Sequence, residues 1–97
     1  MYVIAIVRYL KPIEEVQKHQ DLHRAWAAAL REKGTIVASG PLEPRFGGAF
    51  LLRLPDGAST ADVLAVRDAD PYVKAGVAQW ELLPWNPVNG KENLDRA

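Results

Sequence analysis

Cysteine is absent from the 97 residues, which excludes disulfides, thiolate metal sites, thiolate-held iron–sulfur clusters and a cysteine nucleophile. There is no surplus of charge either, since 12 Lys and Arg balance 12 Asp and Glu. A polyanion-binding surface needs a basic excess, so nucleic acid is not an expected partner. Long apolar runs are missing as well. Met1 to Val7 is apolar but Arg8 closes it, whereas a membrane helix needs about 20 such residues and a secretory signal a basic start. The stretch reads as the first strand of a cytoplasmic protein with no membrane partner. No phosphate loop is present, because Phe46-Gly47-Gly48 has neither the Lys nor the following helix that such loops require.

What is present fits one domain. Residues 2–9 are rich in Val, Ile and Tyr and suit a packed strand. Pro12 opens a helix expected to run to Lys33, with Glu14 and Glu15 at its positive end, Arg31 and Lys33 at its negative end, and Gly34 as its cap. A second strand covers Thr35 to Ser39, and a third runs from Phe46 to Leu54. Ser59 and Asp62 form a capping-box pattern for a helix to about Arg67, and Asp70-Pro71 starts a short helical turn that Gly76 ends. Val77 to Pro84 is the fourth strand. The domain thus spans residues 1–85, and 86–97 is a polar, extended tail available to lie on a partner subunit.

This order, βαββαβ, predicts an α+β, ferredoxin-like fold: a four-stranded antiparallel sheet with the first and third strands central and both helices on one face. A sheet with one wet face alternates apolar and polar residues. Val3 to Val7 do not alternate, and neither do Ala49 to Leu52. Covering a second apolar face is favourable at roughly 25 cal/mol per Å². A second copy of the chain is the simplest cover, so a homodimer is expected; the alternative is a monomer whose C-terminal tail shields the sheet.

At 100° per residue, Val16, His23, Ala27 and Leu30 share a narrow arc of the first helix, while Glu14, Asp21, Arg24 and Glu32 lie away from it. His23 therefore sits on the packed face, either as a hydrogen-bonded core group or as a general acid/base. His19 and His23 are four apart but have no obvious third ligand, so no metal site is assigned. Asp70 reads as an N-cap whose carboxylate can also orient a histidine ring. Arg8 shares strand parity with Ile4 and Ile6, so it either holds an anionic substrate or reaches solvent. Ser39 and Tyr72 complete the candidate substrate-binding set, and Tyr72 and Trp80 also read as core or interface aromatics.

The run Ala69-Asp70-Pro71-Tyr72-Val73-Lys74-Ala75-Gly76, followed by a last strand ending in Pro-Trp, resembles the YciI-like (YCII-related) family. His23 and Ser39-Gly40-Pro41-Leu42 resemble it too, and the likeness covers about residues 1–85. It implies a ferredoxin-like fold paired as a dimeric α/β barrel, with a pocket between sheet and helices. The family's proposed catalytic histidine and aspartate fall on His23 and Asp70. One branch eliminates HCl from a chlorinated hydroquinone. The short Glu43-Pro44-Arg45-Phe46-Gly47-Gly48 connection departs from longer members and borders the expected pocket.

The resulting expectation is a cofactor-free enzyme of lyase or isomerase type acting on a small phenolic or lactone-like molecule. His23 would move the proton and Asp70 would hold the ring. The alternatives are a non-catalytic small-molecule-binding module and a cofactor-free quinol oxygenase.

Overall fold

The computed structural model describes residues 1–97. Its first strand, β1 (Tyr2–Tyr9), turns Val3, Ala5 and Val7 into the core. Two helices follow where one was expected: α1 (Ile13–Gln17) and α2 (Gln20–Glu32). They are separated at Lys18 and His19, with the His19 backbone at φ −111°. No Gly or Pro marks that break. It is set by packing, because it seats Val16 fully in the core while α2 buries Ala27.

The edge strand β2 (Ile36–Pro41) carries a bulge between Ile36 and Ala38 and pairs with β3 (Gly47–Arg53). Ser59 caps α3 (Thr60–Asp68) with a complete capping box, and Asp70 caps the short α4 (Pro71–Lys74). Strand β4 (Ala78–Trp85) completes an antiparallel sheet of order β2-β3-β1-β4. The fold is α+β and ferredoxin-like, with β3 and β1 central.

The core joins Val3, Ala5, Val7, Phe50 and Leu52 from the central strands to Val16, Ala27, Val63 and Tyr72 from the helical layer. Burying each of the Val, Leu and Phe side chains contributes roughly 1.5–3 kcal/mol before entropy is counted, and the alanines less. On the opposite face, Ile4 is flanked in register by Leu51 and Leu83, the latter 43% exposed.

Residues 86–97 are not an extended tail. They form α5 (Lys91–Asp95), which docks on the chain's own sheet. The Tyr2 hydroxyl donates to Asp95 at 2.6 Å, and the Arg53 guanidinium donates to the carbonyls of Leu94 (2.8 Å) and Ala97 (2.9 Å). Polar composition hid this helix, because its anchors are hydrogen bonds and not an apolar stripe. It covers the Tyr2 corner of the open face and leaves the Ile4–Leu51–Leu83 stripe partly exposed. No helix is long and apolar enough to cross a membrane.

Candidate active site

Asp70 is fully buried and has three donors. Its Oδ1 accepts from the Tyr72 backbone N–H at 3.0 Å, the ordinary N-cap bond, and from His23 Nδ1 at 2.7 Å. Its Oδ2 accepts from the Trp80 indole N–H at 2.9 Å. A carboxylate in an apolar core needs such partners, and three convergent donors hold it in one orientation.

A carboxylate only accepts, so the His23 nitrogen facing it carries the proton. Nε2 is then left with its lone pair free. The His23 side chain is 16% exposed and lines a cavity of about 380 Å³. That volume lies at the small end of the range for small-molecule pockets. Nε2 makes no hydrogen bond within the chain, yet no buried polar side-chain atom lacks a partner. Nε2 is therefore open to the cavity.

Aromatic rings fix the imidazole from the sides. Tyr72 stacks on it with centroids 3.9 Å apart and planes 7° from parallel. Trp26 and Phe50 lie at 5.7 and 5.9 Å. The Tyr72 hydroxyl has no partner within the chain, so by the same reasoning it too reaches the cavity. Burial pushes this phenol above its ordinary 10.0, Tyr9 adds to the shift, and Arg45 and Arg24 oppose it. Tyr72 therefore presents an O–H donor at neutral pH.

Of the residues singled out in the sequence, His23, Ser39 and Tyr72 line the cavity, and Asp70 stands behind His23. Arg8 does not join them. It lies on the open face of the sheet, half exposed and paired with Glu81 at 3.2 Å. Parity placed Arg8 with Ile4 and Ile6 correctly, but the cavity is on the other side. His19 is also outside the lining, and no three His, Asp or Glu side chains come together.

The lining also holds Arg24 and Arg31, which the packed arc of the helix left out, and Arg45. Gln20, Arg24, Ala27 and Arg31 form one stripe of α2 at spacings of four, three and four. That stripe, beside the arc of His23, was the available signal for two of them. Arg45 comes from the short connection between β2 and β3. Trp80 reads from sequence as a core or interface aromatic, and its bond to Asp70 carries no sequence signal.

These features define a small α+β domain with a buried carboxylate holding an imidazole at the wall of a cavity. The chain belongs to the YCII-related domain family, whose profile matches residues 1–86. Among solved structures it is similar to 5-chloro-2-hydroxyhydroquinone dehydrochlorinase (TftG) from Burkholderia phenoliruptrix AC1100, in complex with 2,5-dihydroxybenzoquinone. The two share 21% identity with a TM-score of 0.70, over 89% of this chain and 94% of that one. At this identity the likeness establishes the fold. No curated protein sequence matches the chain.

Proposed function

We propose that the chain is an enzyme that eliminates from, or isomerises, a small ring compound by proton transfer through His23. The observation that carries this reading is the 2.7 Å bond from His23 Nδ1 to the buried Asp70, with Nε2 open to a cavity. Nε2 takes a proton from a hydroxyl or an acidic C–H of the substrate and becomes an N–H. Asp70 stabilises the imidazolium that forms. In an elimination, the electron pair left on the substrate forms the new double bond and the leaving group departs with its own pair. In an isomerisation, Nε2 returns the proton to a different substrate atom. Tyr72 and Ser39 supply hydroxyls on the cavity wall. The likeness to a dehydrochlorinase of a hydroquinone supports hydroxylated aromatic rings as the first compounds to test.

The same reading includes a face-to-face dimer, supported by the partly exposed Ile4–Leu51–Leu83 stripe and by Trp85, 43% exposed, beside it. Sedimentation at micromolar concentration should give twice the chain mass, and a monomer would remove this part.

A panel of halogenated and hydroxylated aromatics and hydroxylactones, followed by mass spectrometry, tests the reaction. Turnover of at least one compound is expected, falling about 10²–10⁴-fold in His23→Asn. Turnover unchanged in that variant would overturn the assignment. Binding without turnover of any compound would favour a binding module.

A further inference from the structure

The cavity holding His23 is positively charged in a way the acid/base reading does not use. Arg24, Arg31 and Arg45 line it, and no Asp or Glu does. None of the three arginines takes part in an ion pair, although Arg8 and Arg67 each have a carboxylate partner. Two of them are gathered at one point. With its amide oxygen turned toward them, Gln20 accepts from Arg24 at 2.7 Å and from Arg45 at 3.0 Å. Like charges are unfavourable at this range, and one neutral amide oxygen does not balance two guanidiniums. Their planar forks match an oxyanion, which would take the place of the missing carboxylate.

We infer that Arg24 and Arg45, positioned by Gln20, are the clamp for an oxyanion carried by the substrate. The substrate class is then a small ring compound bearing a carboxylate or a phosphate. Arg31 lies seven residues further along α2, about 10 Å along its axis, and adds field without direct contact to the same group. The Tyr72 ring stacks on His23, and its hydroxyl shares the cavity with both clamp arginines. An anion held by the clamp would share with Nε2 one cavity of about 380 Å³, the size of a small ring compound. The inference takes from the proposed function only the position of the reacting atom. It places substrate selection in Arg45, on the connection that is short in this chain.

Calorimetric titration with benzoate, phenyl phosphate and neutral benzyl alcohol tests it without any turnover. Wild type should bind one or both anions and bind the alcohol at least about tenfold more weakly, and added salt should weaken the anions alone. Preference for benzoate or for phenyl phosphate identifies the oxyanion. Arg24→Gln and Arg45→Gln should each lose about tenfold or more in anion affinity, the scale of one charge-assisted hydrogen bond. Arg31→Gln should lose less than about threefold. Each arginine is exposed, and a matching melting temperature shows that a variant is folded. Equal binding of the alcohol, or unchanged anion affinity in both clamp variants, overturns the inference. His23→Asn separates the two readings. It should still bind the anion. If it also keeps turnover, the acid/base assignment falls while the clamp stands.

Discussion

The His23 imidazole lies flat on the Tyr72 phenol, 3.9 Å away, while its Nδ1 is held 2.7 Å from Asp70. Asp70 caps the helix that begins at Pro71 and carries Tyr72. One carboxylate therefore fixes both the ring and the surface the ring rests on. Local helix capping and the geometry of the candidate site are a single structural device.

Asp70→Asn tests that device. An amide offers one acceptor oxygen where the carboxylate offers two, and its NH₂ must face a donor. Stability should fall by about 1–3 kcal/mol, the scale of a buried unsatisfied polar group. Turnover on any substrate the panel identifies should fall about 10²–10⁴-fold, because His23 loses its charged partner. Thermal melts and initial rates measure the two effects separately.

Trp80→Phe keeps an aromatic ring in the core but removes the donor to Oδ2 together with part of the indole. The expected loss is about 1–3 kcal/mol for the unpaired oxygen, with the cavity left by the smaller ring adding to it. A denaturant titration showing no loss would mean that the indole N–H does not support the carboxylate.

Gly47 faces Arg8 in the β1–β3 ladder, and a Cβ there would lie 1.9 Å from the Val7 carbonyl oxygen. That contact is with backbone, so the central pair of strands must move. Gly47→Ala should cost more than about 2 kcal/mol, in the range of severe overpacking. Gly57→Ala meets nothing within 4 Å and bears only the strain of φ +86°, about 1–2 kcal/mol. Paired melts of the two variants check the difference.

Docking of α5 should depend on pH at both extremes. Lys91, and after it Tyr2, hydrogen-bond the Asp95 carboxylate and hold it below its ordinary 3.8, while Asp95 raises Lys91 above 10.5. A carboxylate with a lowered pKa contributes stability fully above its unfolded value, and the contribution is lost as pH falls through the folded one. The raised lysine contributes fully below 10.5, and its share is lost as pH rises through the folded value. Amide exchange of Asn93 to Arg96 should therefore be protected between these limits and accelerate, beyond its intrinsic rate, outside them. Asp95→Asn should remove the acid limb and the alkaline one with it, because Asp95 is what raises Lys91.

Much of this architecture was legible from local chemistry. The strand order follows from the βαββαβ pattern, Asp70 announces itself by preceding Pro71, and His23 falls on the packed arc of its helix. The rest depends on partners distant in sequence. The break at Lys18 and His19 is a packing adjustment with no residue to mark it. Parity gave the face of Arg8 but not which face holds the cavity. An arc of packed residues sorts positions into core and solvent, whereas Arg24 and Arg31 border a cavity that is neither. Helix α5 is held by Arg53 and Tyr2, some 40 and 90 residues away in sequence.

The tautomer of His23 tests the central claim most directly. Long-range ¹⁵N–¹H correlation spectra of the imidazole, recorded where the ring is neutral, distinguish the two nitrogens. The account predicts the proton on Nδ1 and a free lone pair on Nε2. A proton on Nε2, with Nδ1 unprotonated, would contradict it.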